Sequence, residues 1–193
     1  MLSNTAAAVL LQIAREAISH ALKGEPYSPP PREEQSLNER LGCFVTLKLD
    51  GRLRGCIGNF QSRRPLFQET AAMAVAAATQ DPRFHPLSAN ELSRCRLEIT
   101  VLSPLEKISS PAQIRVGEHG IYLENGLHRG VLLPQVATEQ GWDTETFLRQ
   151  TCIKAGLAEQ MWQAPDTEIY RFSGQIMAEP PEAETSTQED KND

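Results

Sequence analysis

Apolar side chains recur at every third or fourth position near the start of the chain, where Leu10, Ile13, Ala17, Ile18, Ala21 and Leu22 fall on one face and Gly24 follows as a stop. This spacing predicts an amphipathic helix over 5–22. The period then changes. Cys43 to Leu49 reads as a β-branched and apolar strand, Asp50-Gly51 is the dipeptide preferred in a two-residue type I′ turn, and Arg52 to Ile57 reads as the returning strand. In that register Val45 faces Cys56, Leu47 faces Arg54, and Gly55 lies opposite Thr46 on the other face. Neither face is cleanly polar, so both are expected to be covered.

Pro65 suits the first turn of a helix running to Thr79 that contains six alanines, and such small side chains permit close helix-to-sheet contact. Arg96 to Leu102 alternates as a strand. A second hairpin is expected from Gly120–Glu124 and Arg129–Leu133 around Asn125-Gly126. Helices follow over 134–140 and 144–155, the second stopped by Gly156, and a last strand over 169–176. Hairpins mixed with helices, without regular βαβ alternation, predict an α+β fold: a sheet containing antiparallel hairpins, packed with helices.

Composition refines this picture. At 193 residues the chain suits one domain or two lobes. Its net charge of −6 is concentrated at the end, since residues 179–193 contain six acids against only Lys191. The sequence thus predicts a domain over 1–178 and an acidic, disordered tail over 179–193. A body near neutrality argues against general nucleic-acid binding. The local exception is Arg52, Arg54, Arg63 and Arg64, a cluster able to hold a small phosphate or carboxylate. No secretory signal or membrane-spanning stretch is evident. Cys43, Cys56, Cys95 and Cys152 lack CxxC spacing, so no zinc site is indicated and a reducing, cytoplasmic setting is expected.

The most informative chemistry lies in Leu53-Arg54-Gly55-Cys56-Ile57-Gly58. An arginine two residues from a cysteine on an extended segment shares its face and favours the thiolate. The competing reading makes Cys56 a small buried hydrophobe and the glycines a source of backbone freedom. Asp81-Pro82-Arg83-Phe84-His85-Pro86 adds a rigid loop bearing both charges and an imidazole. His20 and His128 read as packing or solvated side chains.

Together with Val101-Leu102-Ser103-Pro104, His119-Gly120, Leu133-Pro134 and Gln140-Gly141-Trp142-Asp143, these motifs resemble the AMMECR-one domain family, and in particular its bacterial branch, AmmeMemoRadiSam system protein A. The resemblance spans residues 5–177. It implies a larger and a smaller lobe, with the six-residue motif in the cleft region. It also implies company: a Memo-like protein and a radical S-adenosylmethionine protein. Any iron–sulfur cluster or Memo-type metal would belong to those partners, because this chain lacks the three-cysteine motif; no cofactor of its own is expected.

Two functions stay open. In one, Cys56 is a nucleophile, Arg54 lowers its pKa, and His85 or His119 transfers a proton. In the other, Arg54, the Gly55 and Gly58 backbone, Asp81 and Arg83 grip a peptide, a nucleotide-like compound or a partner loop without catalysis.

Overall fold

The structure is a computed structural model and describes residues 2–180. Its elements follow the α+β expectation: α1 (Asn4–Leu22), α2 (Gln35–Asn38), β1 (Cys43–Leu49), β2 (Arg52–Asn59), α3 (Leu66–Thr79), α4 (Ala89–Leu92), β3 (Cys95–Leu102), β4 (Glu106–Lys107), β5 (Gly120–Asn125), β6 (His128–Leu132), α5 (Pro134–Gln140), α6 (Thr144–Lys154), β7 (Glu168–Phe172) and β8 (Gly174–Ala178). Two antiparallel four-stranded sheets result, ordered β2-β1-β3-β8 and β4-β7-β5-β6.

The large lobe is built on the first sheet. Leu10, Ile13, Ala17 and Ile18 of α1 form the buried stripe that the spacing predicts, and they join Ala74 and Ala77 of α3 and Val45, Leu47, Leu97 and Ile99 of the sheet in one core. Along β1 the pleat alternates: Cys43, Val45 and Leu47 are fully buried, whereas Phe44, Thr46 and Lys48 are half-buried. The helices cover one face; on the other Phe60 packs between Phe44 and Phe172, so the second face is half-open, with partial cover in place of the full cover expected. The small lobe packs α5 and α6 against the second sheet around Ile121, Phe147 and Leu148.

Asp50 and Gly51 make the expected turn, with φ of 51° and 75°. The register beyond it differs from expectation. Leu49 pairs with Arg52 and Lys48 with Leu53, but Leu47 then pairs with Gly55 and Thr46 with Cys56. Arg54 is the extra residue of a β-bulge. The slip moves Cys56 from the core face beside Val45 to the half-open face beside Thr46. It also presents the bare Cα of Gly55 to α3, where an added Cβ would lie 2.3 Å from the Ala77 carbonyl oxygen. The close approach foreseen at Gly55 is thus made by another backbone.

Other boundaries shift for identifiable reasons. Pro65 occupies the N-cap of α3 rather than its first turn. Asn125 pairs with His128, so the second hairpin turns at Gly126-Leu127, with Gly126 at φ 58°. The strand expected over 169–176 divides at Ser173: β7 belongs to the small sheet and β8 to the large one. At this crossing the Ser103 amide donates to the Ser173 carbonyl at 2.8 Å, and the Ser173 amide donates to Ser103 Oγ at 3.0 Å.

Residues 181–193 of the expected tail lie outside the described residues, but Glu179 is part of the body. Its carboxylate accepts two bonds from Arg15, at 2.7 and 2.6 Å, and one from the Leu97 amide at 2.9 Å. Its own amide donates to the Leu97 carbonyl at 3.0 Å. Ending the chain at Ala178 should therefore lower stability by about 2 kcal/mol. Ending it at Pro180 should cost less than about 0.5 kcal/mol. Urea unfolding of the two truncated chains measures the difference.

Candidate functional site

β2 is an edge strand, and its residues facing Thr46 and Phe44 turn their backbone groups away from β1. At Cys56 both groups are taken by the loop that follows α3. The Cys56 amide donates to Asp81 Oδ2 at 2.8 Å, and Arg83 Nη2 donates to the Cys56 carbonyl at 3.2 Å. Asp81 is 4 % exposed and also accepts from the Arg83 amide at 3.1 Å and from Arg83 Nε and Nη2 at 2.9 and 2.7 Å. One carboxylate and one guanidinium together occupy the place of a neighbouring strand. The paired Arg83, and after it the two amides, hold the Asp81 carboxyl well below the usual carboxylate range against the opposing effect of burial.

The bulged Arg54 points elsewhere. Its Nε and Nη2 donate to Glu91 at 2.8 and 3.2 Å, and its Nη1 donates to the His85 carbonyl at 3.0 Å. Glu91, in the first turn of α4, also accepts from the Ser88 amide in a capping box. Arg54 first, and Ser88 second, draw its carboxyl down to about 2. The expectation that Arg54 shares a face with Cys56 is therefore corrected by the bulge. Its charge reaches the buried Cys95, where burial raises the thiol pKa and Arg54 opposes that rise. Arg83 is the guanidinium beside Cys56.

The structure brings Arg54, Asp81, Arg83, the His85 backbone and the Cys56 backbone together. Gly55 and Gly58 serve packing, since an added Cβ at Gly58 would lie 2.3 Å from the Phe44 ring. The half-buried Cys56 thiol accepts a hydrogen bond from Thr46 Oγ1 at 3.3 Å, whereas Cys43, Cys95 and Cys152 are buried. The His85 side chain is exposed. His119 lies in the small lobe, just before β5, where its Nδ1 accepts from the Arg115 amide at 3.0 Å; burial, then Arg171 and Arg115, lower its pKa. Neither imidazole bonds to the thiol.

Phe84 lies between the elements of this site, its ring centre 5.5 Å from the Arg83 guanidinium and 5.9 Å from that of Arg54. These three side chains, with Pro82 and His85, surround an open hollow of about 470 Å³. Glu91, Thr46 and Phe84 were not among the expected site residues. Glu91 carried the Ser88-x-x-Glu91 spacing of a capping box, and Phe84 lay inside the Asp81–Pro86 loop motif without being assigned a role; Thr46 had no signal. Among the described residues no group of three or more His, Cys, Asp or Glu side chains is placed to hold a metal ion, and no helix is long and apolar enough to cross a membrane.

The AMMECR1 family model matches residues 11–177, which include every residue of this site. The chain belongs to the AMMECR1 family. It is 43 % identical over 177 residues to a protein of Nanoarchaeum equitans, covering 88 % of this chain and 98 % of that one. A bacterial relative from Aquifex aeolicus is 38 % identical over 177 residues, with 88 % and 91 % covered. The crystal structure of an uncharacterized protein from Pyrococcus horikoshii has the same fold, with a TM-score of 0.74 and 40 % identity over 86 % of this chain and 88 % of that one.

The site is thus built around a carboxylate whose pKa is lower when folded than the unfolded value of about 3.9. Its stabilising effect should be complete above about pH 5 and should diminish as the pH falls through the folded pKa. Glu91 acts in the same direction, losing its contribution between about pH 5 and its folded value of about 2. Asp81→Asn should cost about 2–4 kcal/mol near neutral pH, because it leaves the Cys56 amide and Arg83 poorly matched. Near pH 3 the cost should shrink. Urea midpoints of both proteins across this range provide the check.

Proposed function

We propose that the chain is a binding and accessory module that presents Cys56, Arg83 and Phe84 to a peptide segment or nucleotide-like ligand, and that Cys56 is not a nucleophile. The observation that carries this reading is the commitment of charge at the motif. Arg54 is neutralised by Glu91 and Arg83 by Asp81, so both guanidiniums shape the surface and stack near Phe84 instead of activating a thiol. Neither candidate histidine meets Cys56. What the arrangement offers a ligand is a half-buried aromatic ring flanked by planar cations beside a half-open sheet face, suited to stacking and amide contacts.

Family resemblance supports a setting for this activity: a modification pathway in the cytoplasm that includes a Memo-like protein and a radical S-adenosylmethionine protein, with the present chain holding a partner or its substrate. A second reading has one observation in its favour. Of the four cysteines Cys56 alone is not buried, and a reacting thiol must be accessible.

Mass-spectrometric labelling with iodoacetamide, joined to calorimetry with a purified Memo-like protein, separates the two. Cys56 should label no faster than about twice the rate of an unstructured cysteine, and Arg54→Ala should change that rate less than about twofold. Phe84→Ala should weaken partner binding about tenfold while Cys56→Ser leaves it within about twofold. Labelling about a hundredfold faster than an unstructured thiol, or loss of the pathway product in Cys56→Ser with partner binding intact, would establish the enzyme reading instead.

A further inference from the structure

The arginine cluster noted in the sequence separates in the structure. Arg54 is paired with Glu91 and Arg52 is exposed beside the hairpin turn, whereas Arg63 and Arg64 line a hollow of about 260 Å³ with Asn59, Ser62 and Glu69. Glu69, in the first turn of α3, is 3 % exposed. Its Oε1 accepts from Asn59 Nδ2 at 2.7 Å and its Oε2 from Ser62 Oγ at 2.7 Å. Both donors are neutral. Among the described residues Glu69 has no cationic partner, and neither Arg63 nor Arg64 pairs with a carboxylate.

A carboxylate removed from water is disfavoured unless a cation or a full set of donors compensates it. Asp81 has its guanidinium; Glu69 does not, although two guanidiniums line the same hollow. Opposite charges held apart across one small space fit a ligand that is itself bipolar. The charges also set its class. Two guanidiniums and one carboxylate leave a net charge of +1, which a phosphate monoester dianion joined to an ammonium group balances at −1.

We propose that this hollow binds a small phosphorylated amine, with its phosphate directed to Arg63 and Arg64 and its ammonium group to Glu69 and Asn59 Oδ1. The site lies at the far end of β2 and shares no residue with the surface around Phe84, so it does not rest on the function proposed above.

Calorimetric titration of the full chain with phosphoethanolamine, with inorganic phosphate and ethanolamine as its two halves, tests the assignment. Phosphoethanolamine should bind at least about tenfold more tightly than phosphate, and ethanolamine should give no measurable heat up to about 10 mM. Glu69→Gln should erase the preference while leaving phosphate affinity within about twofold, and the Arg63→Ala, Arg64→Ala double variant should weaken both ligands about tenfold. Cys56→Ser and Phe84→Ala should leave these titrations unchanged. Equal affinity for phosphate and phosphoethanolamine, absence of binding at about 10 mM, or a preference that survives Glu69→Gln would overturn the proposal. The wild-type comparison alone decides the matter if Glu69→Gln fails to fold.

Discussion

An edge strand exposes amides and carbonyls with no neighbour to receive them, and the way β2 resolves this at Cys56 organises the surrounding structure. Asp81 and Arg83 bond to the strand and to each other, so the loop after α3 is fixed to the sheet by a buried carboxylate rather than by another strand. That arrangement needs the bulge. With Arg54 left out of the ladder, Gly55 meets the α3 backbone, Cys56 turns its thiol to the half-open face, and Arg54 reaches Glu91 and the His85 carbonyl. The same loop then carries Phe84 to a position near both guanidiniums.

This economy of charge bears on function. A cysteine beside an arginine in sequence suggests an activated thiol, but a guanidinium acts through distance and competing partners, not through residue number. Here each arginine of the motif has a carboxylate closer to hand. Glu69 illustrates the opposite condition: its neighbours supply neutral hydrogen bonds, while the arginines sharing its hollow are left for something else. Paired charges build the surface around Phe84, and unpaired ones mark the site at the far end of β2.

Much of the fold was legible because local signals agreed with tertiary structure. The stripe of α1, the Asp50-Gly51 turn and the glycine stop after α6 each depend on neighbours close in sequence. The bulge was hidden because nothing at Leu53-Arg54-Gly55 requires it locally; it follows from the α3 backbone and from Glu91, distant in sequence. The division at Ser173 was hidden for a similar reason. β7 and β8 form one continuous extended pattern, and only the pairing of β7 with β5 and of β8 with β3 sends them to different sheets. Glu179 looked like the start of an acidic tail because its partners, Arg15 and Leu97, lie far upstream. Cys56, Arg54, Asp81 and Arg83 were singled out in the sequence and lie near one another in the structure, but which charge faced which group was a matter of three-dimensional register.

Amide hydrogen exchange at Cys56 tests most directly whether the Asp81–Arg83 pair substitutes for a strand. If it does, the Cys56 amide should exchange at least about a thousandfold more slowly than an unstructured amide, at a rate similar to that of Ile57, which is paired with Val45 inside the sheet. Exchange of Cys56 at the rate of an unprotected edge amide, with Ile57 still protected, would contradict the account.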